Sequence, residues 1–566
     1  MPKNGADMKM YSSKTPSVLC LLGIIVVALM GGMQTVRAGT DPADDASLAI
    51  RPEAISAHMR FFADDLLEGR ATGTRGHEIA ARYMASEFEA MGLEPAGDNG
   101  TYFQRVPLRW IRPDEERTEL AFVREGKEQS LIFRQDFVTY GDPGRTDTSV
   151  AAPVVYVGFG VTAPEQSYDD YAGLETKGKI VAYVYGAPTS FESAIRAHYT
   201  SSAIKAANAA AHGAVGTILL DSPALENLYP FEVRVRDLTI PDLRWLDVQG
   251  RPNNYFPQIR GTAILSMKAT AVVFEGSGKS IGEIYAAVQA GKPSSLPLPL
   301  IARMKVVSRH EDGHSPNVVA RLRGSDEQLR DQHVVYTAHL DHLGIGEPVN
   351  GDKIYNGALD NAAGSACLLE IARAFTELKP PPRRSIIFLS VTGEEEGLLG
   401  SDYFAHYPTV AKDNVVADIN MDGAALLWPM EDITVHGSEH STLGLAAHKA
   451  ANRMNIDVSP DPRPEQVFFI RSDQYSFVKQ GVPSVFAMSG LKSSDPNIKP
   501  SEIITKWRKT VYHTPQDDMN QTFNFVSGAK YARYNFLLGY FIAQQTERPT
   551  WNPGDFFGDH YRKTKN

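Results

Sequence analysis

The run Ser385-Ile-Ile-Phe-Leu-Ser-Val391 leads through Thr392-Gly393 into Glu394-Glu395-Glu396 and then Gly397-Leu-Leu-Gly-Ser401. An apolar strand-like run thus ends in three adjacent glutamates before a turn and a helix. The carboxyl end of a strand is where open α/β sheets hold ligands and catalytic groups. Three like charges crowded there repel one another unless a cation neutralises them. A solvated charge run is the ordinary reading of an acidic triplet, but the pattern recurs. His339 and Asp341 follow the strand-like Val334–Ala338, and Asp422 follows Val415–Met421. Three strand ends deliver imidazole or carboxylate, and a metal site is the economical explanation.

Working outward, strand-like and helix-like segments alternate beyond Leu300: Val334–Ala338, a helix at about 361–378, Ile386–Val391, Val415–Met421, a helix at about 441–454, and Ser484–Met488. The helix after Asp360 carries Leu368, Ile371, Ala372, Phe375 and Leu378 at helical spacing. This alternation predicts an α/β fold with a mixed, mostly parallel sheet flanked by helices. Toward the N-terminus, Ile55–Leu67 and Gly76–Met91 show helical periodicity around the turn-rich Glu68–Gly76. From about Arg112 the character changes to short strands, Leu131–Tyr140, Pro153–Gly160 and Gly178–Tyr185. A small-residue helix, Ser201–His212, and another strand, Gly213–Leu220, follow. Residues 112–299 therefore read as a smaller β-rich insertion, closed by a linker-like Gly291–Pro299, in a discontinuous domain of residues 46–111 and 300–546. Residues 547–566 read as a surface tail.

At 566 residues the chain can hold two or three domains with substantial cores. Hydrophobic content of 43% and charged content of 22% are those of an ordinary globular protein. A net charge of -10 leaves no basic footprint for nucleic acid. Lys3, Lys9 and Lys14 precede the apolar stretch Val18–Met33, with a small-residue cleavage site at Val36-Arg-Ala38. This is the layout of a secretory signal peptide over 1–38, so a secreted or periplasmic protein without a membrane anchor after cleavage is expected. Of the two cysteines only Cys367 would then remain, on an apolar helix face, and it reads as core filler.

The side chains that would build the metal site are His339, Asp360, Glu394 and Glu395, Asp422, and His513 in Tyr512-His-Thr-Pro-Gln-Asp-Asp518. Imidazole and carboxylate suit zinc, and five such ligands suit two ions with one bridging carboxylate. Neighbouring glutamates leaving a strand point different ways, so one can bind metal while Glu394 serves as general base.

In order along the chain, His339-Leu-Asp341, Gly357-Ala-Leu-Asp-Asn361, Gly393-Glu-Glu-Glu-Gly-Leu-Leu-Gly-Ser401, Asn420-Met-Asp422, Ser472-Asp473 and Tyr512-His-Thr-Pro515 resemble the M28 family of co-catalytic zinc peptidases. The resemblance implies two zinc ions, one on His339, Asp360 and Asp422, the other on Asp360, Glu395 and His513. It makes Glu394 the base, puts Asp341 behind His339, and matches Tyr512 to a tyrosine that stabilises the oxyanion. Some members place that tyrosine three residues before the Ser-Asp pair, where this chain has Phe469. Ser472 and Asp473 are expected to hold their loop by hydrogen bonds. His342 is a candidate supporting residue, and His310, His314, His406, His436, His440 and His448 read as surface groups.

Tyr171-Ala-Gly-Leu174, Gly178–Tyr183, Lys205–Ala214 and Gly216–Leu220 resemble a protease-associated (PA) domain. The activity implied is removal of N-terminal residues from peptides. A glutamate-type carboxypeptidase on the same two-zinc core is an alternative, with Arg463 and Arg471 as candidate grips for a carboxylate. A non-catalytic peptidase-like binding protein is another, and an oligomer remains open.

Overall fold

The computed structural model describes residues 41–561, so the expected signal peptide lies outside the described residues. Its central sheet uses β1 (Phe103–Pro113), β2 (Leu296–Leu322), β3 (His333–His339), β4 (Ser385–Val391), β5 (Val415–Asn420), β6 (Asp432–His436) and β7 (Ser484–Ser489), in the order β1-β2-β4-β3-β5-β7-β6. The four middle strands β4, β3, β5 and β7 run parallel. Every residue of β3, β4 and β5 is buried, which is why these strands read as continuous apolar runs.

Helices cover both faces. One face packs α1 (Pro52–Phe62), α2 (Arg75–Ala90), α3 (Ala363–Glu377) and α5 (Phe525–Gln544) against Tyr336, Phe388 and Ile419. The other packs α4 (Leu399–His406), through Phe404, against Val335 and Leu389. The register sets His339 beside Val391 and Thr337 beside Asn420, so β3, β4 and β5 end along one edge. A parallel sheet wound this way leaves its carboxyl edge uncovered by its own helices, and the predicted ligands emerge there. Among the described residues no helix is long and apolar enough to cross a membrane.

The insertion has its own core around Val154, Ile180, Ile218 and Leu265. Strands Asp147–Tyr156, Ile180–Val184, Gly216–Leu220 and Thr262–Leu265 lie parallel in succession there, with helices between them. It is thus α/β rather than simply β-rich. The stretch read as a linker enters β2 at Leu296. That 27-residue strand pairs first with Asp147–Tyr156 of the insertion, then with β1 and β4. Pro297 and Pro299 disguise it, and a register shift between Pro297 and Ile301 accommodates them. A second tie is Asp242–Trp245, which leaves the insertion to pair with β1.

The sequence reading missed β6, the helix Pro500–Thr510 and α5. The expected strand Leu131–Tyr140 shrinks to Phe137–Val138 after a separate Lys127–Leu131. The expected surface tail is docked as far as Tyr561. Phe557 is fully buried against Phe469, Tyr475 and Val478, and Trp551 Nε1 donates to the Gly481 carbonyl at 2.9 Å. Cys367 is a free, fully buried thiol, as its apolar helix face implied.

Candidate metal centre

The strand ends bring the predicted ligands into one cluster. His339 Nε2 lies 3.2 Å from Asp360 Oδ1 and 3.5 Å from Asp422 Oδ1. His513 Nε2 lies 3.3 Å from the other Asp360 oxygen, Oδ2, and 3.2 Å from Glu395 Oε2. Asp360 therefore faces two separate trios of donor atoms, one oxygen to each. Neither imidazole nitrogen makes a hydrogen bond, although both are buried. Donor atoms sharing a tetrahedral ion at the usual zinc distances are spaced roughly 3.3–3.6 Å apart. Buried nitrogens at that spacing from carboxylate oxygens, without hydrogen-bond geometry, fit a divalent ion of the zinc type.

Local backbone places these groups. Asp360 sits in the sharp connection into α3, where Asp517 clamps the backbone. Its two oxygens accept from the Leu359 and Asp360 amides at 2.9 and 3.0 Å. His513 adopts φ 56°, a left-handed conformation that costs a non-glycine residue energy and recurs at functional sites. Ser472 Oγ donates to Asp422 Oδ2 at 2.6 Å and accepts from Asn420 at 2.8 Å. Asp473, expected to hydrogen-bond its loop, is buried with neither oxygen paired, and burial pushes its carboxyl up to about 7.

Asp341 supports the centre differently from the expectation. Its carboxylate accepts the backbone amides of Glu394 and Glu395, both at 3.2 Å, and only its carbonyl reaches His339 Nδ1, at 3.2 Å. It thereby orients the glutamates more directly than the imidazole. The ring that does bind a ligand carboxylate is His342, whose Nδ1 lies 2.6 Å from Glu395 Oε1.

Sequence reasoning passed over two residues. Asp517 stood unremarked inside the quoted Tyr512–Asp518 stretch. Arg70, in the turn-rich connector, is fully buried and donates to the carbonyls of Leu340, Asn356 and Gly357 at 2.8, 2.6 and 3.1 Å, and to that of Phe62. It joins the N-terminal helices to the loops after β3 and before α3. Its only sequence signal was a basic residue among glycines. His436, expected at the surface, is buried with Nδ1 3.4 Å from Asp461.

Burial penalises every charge here, and the neighbours decide the outcome. Burial pushes the Asp360 carboxyl up, but the flanking His339 and His513 rings outweigh it and hold the group well below the ordinary range. Against burial, Glu394, Asp360 and Asp422 raise the His339 imidazole well above its ordinary value, and Asp360 and Glu395 raise that of His513 to about 10. Glu394 goes the other way. Burial, with Asp422, Glu395 and Asp473 nearby, lifts it well above a usual carboxyl despite His339. Tyr512 stacks on His513 at 3.8 Å between ring centroids, and burial followed by the surrounding carboxylates raises its hydroxyl. A cavity of about 120 Å3 opens beside Asp360, Glu394, Asp422 and Tyr512.

An α/β protein with a divalent-metal centre at the carboxyl edge of its sheet is the class these features define. Residues 317–529 match the Peptidase family M28 model. Over 105 residues it is 37% identical to a probable zinc metalloprotease of Pyrenophora teres f. teres, covering 19% of this chain and 22% of that protein. Over 375 residues it is 28% identical to aminopeptidase NAALADL1 of Rattus norvegicus, covering 58% of this chain and 44% of that one. The chain thus spans less than half the length of these curated relatives. Among solved structures, an aminopeptidase from Aneurinibacillus sp. strain AM-1 aligns over 89% of this chain and 97% of its own, at 19% identity and a TM-score of 0.49.

Proposed function

We propose that this chain is a zinc-dependent exopeptidase that removes N-terminal residues from peptides. The carrying observation is the pair of donor trios that meet at Asp360, each with an orphaned imidazole nitrogen. On this reading one zinc is held by His339, Asp360 and Asp422, and a second by Asp360, Glu395 and His513. Bound zinc supplies Lewis acidity, which lowers the pKa of water and polarises a carbonyl.

Glu394 supplies the base. It lies beside the cavity with its backbone amide fixed by Asp341. Its carboxylate takes a proton from the attacking water and passes it to the departing amine nitrogen, so no covalent enzyme intermediate is needed. The Tyr512 hydroxyl, kept protonated by its surroundings, donates to the oxyanion that forms on the scissile carbonyl. The same proposal has the protein exported, with 1–38 removed, and the insertion serving as a PA-like wall of the substrate cleft.

Metal analysis and turnover of aminoacyl anilides test this directly. About two zinc ions per chain, with release of the anilide by wild type and not by Glu394→Gln, is the expected result. Metal-free, inert wild-type protein would instead indicate a binding protein on a peptidase scaffold. Sequencing the N-terminus of the mature protein tests export.

A further inference from the structure

A second cavity, of about 290 Å3 against about 120 Å3 beside the metal centre, lies in the insertion and shares no lining residue with the first. One wall is a face of the parallel strands, where Tyr183, Leu219 and Ile264 stand abreast. Another is the helix Ser202–Ala211, through Ala203 and Ala206. Tyr140, Tyr255 and Phe256 add aromatic surface from the loops. A further wall carries charge. Asp242 and Arg244 come from the strand Asp242–Trp245, whose alternate residues Leu243 and Trp245 are buried on its other face with Leu399 and Tyr403 of α4. Pairing with β1, and a 2.8 Å bond from Trp245 Nε1 to Asp402, fix that strand in place. Arg244 Nε donates to Asp242 Oδ2 at 2.9 Å. The other Asp242 oxygen and both terminal nitrogens of Arg244 have no protein partner among the described residues, and the two side chains are 26% and 32% exposed.

These groups restrict what the cavity accepts. Its third charged residue, Asp142, is already engaged by the Gly144 and Arg145 amides, at 2.8 Å each. The rings offer little to a bare cation, because Lys205 Nζ lies 5.6 Å from the Tyr183 centroid and the Arg145 guanidinium 5.7 Å from that of Tyr255. An anion alone would be repelled by Asp242, and a cation alone by Arg244. A ligand with both charges on neighbouring atoms meets a free acceptor and free donors side by side. The apolar walls call for a large hydrocarbon or aromatic group on the same molecule. An apolar cavity of roughly 150 Å3 already holds benzene, so this one has room for a ring and the short backbone that carries it.

We propose that this cavity binds a free α-amino acid with a large apolar or aromatic side chain, its ammonium on Asp242 and its carboxylate on Arg244. On the peptidase reading such molecules are what the metal centre releases, but the cavity stands or falls separately from that reading.

Calorimetric titration of the zinc-loaded full chain, with no turnover substrate present, decides this. Free phenylalanine and leucine should bind saturably, and glycine, which lacks the side chain, roughly tenfold or more weakly. Phenylalaninamide keeps only the ammonium and N-acetylphenylalanine only the carboxylate. Each should lose roughly tenfold or more, the scale of a hydrogen bond to a charged group. Two charge variants then separate direct contact from a structural role. Arg244→Gln should weaken phenylalanine and leave phenylalaninamide the better ligand, whereas Asp242→Asn should shift the preference toward N-acetylphenylalanine. Ala206→Phe fills the cavity from its helix wall and should abolish binding. Binding that none of the three variants alters belongs to the metal centre and overturns the assignment. So does the absence of saturable heat from phenylalanine in wild type, or equal affinity for phenylalanine and its two singly charged derivatives. Should Ala206→Phe fold poorly, as read by its Tm, the charge variants decide alone, since both side chains are partly exposed. Equal loss of all three ligands in both of them would mean a structural role and overturns the proposal. None of these readouts needs turnover, so an inactive chain would sink the peptidase reading and leave the cavity to be judged on binding.

Discussion

Glu394 and Glu395 are chain neighbours that share one supporting carboxylate, yet their surroundings drive them apart. Glu395 faces His342 and His513, which outweigh burial and hold it low, whereas Glu394 is lifted by burial among other acids. One is suited to hold a cation, the other to take and return a proton. Glu394→Gln keeps the shape and loses the base, so kcat should fall about a thousandfold with zinc content unchanged, as read by paired turnover and metal analysis. Asp517 tests the supporting layer. Asp517→Asn turns one acceptor toward the Leu359 or Asp360 amide into a donor. Zinc affinity should drop roughly 10- to 100-fold, measured by competition with a chelator, and Tm should fall with it.

The helix Ser193–Thr200 of the insertion meets the part that carries the candidate metal centre through His198, whose Nδ1 lies 2.7 Å from the Tyr475 hydroxyl in a junction that also contains Phe556 and Tyr561. Burial, with His560 and Lys479 adding repulsion, lowers the His198 pKa to about 3. The unfolded chain therefore takes up this proton first, near pH 6.5, and the folded chain only near pH 3. The stability associated with a neutral His198 is fully present above pH 6.5 and is lost as pH falls through that window. The slope is at most about 1.4 kcal/mol per pH unit. His198→Gln removes the titration, so the difference in Tm between variant and wild type should shift in the variant's favour from pH 7 to pH 4. A constant difference over that range would count against this account. The comparison cancels the other titrating groups, which both proteins share.

Across the whole molecule, the centre gathers six candidate side chains from three strand ends and two loops, and Arg70 and Asp517 hold those loops in place. An ion bound only by the folded arrangement stabilises it by mass action. Zinc at about a hundredfold above its Kd should add about 2.7 kcal/mol. Scanning calorimetry should show Tm falling on chelation and returning with zinc. A Tm indifferent to both would mean that the folded chain holds no such ion.

The ligands were legible along the chain because each lies where an apolar run stops or a turn enters a helix, and that position is written in local pattern. The parallel core strands and α3 were legible for the same reason, since burial on both faces or on one stripe leaves a periodic trace. Other features depended on contacts between distant segments. Arg70 reads as a connector residue until its guanidinium meets Leu340, 270 positions away. The prolines of β2 conceal a strand that two sheets share. Trp428, Arg471 and Arg508 show no common pattern in the chain, and only folding sets them with Phe468 along one cavity. Local hydrophobic periodicity and strand-end chemistry therefore settled the α/β class and where the candidate metal ligands stand. Long-range packing settled what holds those side chains in place and which residues line the cavity beside them.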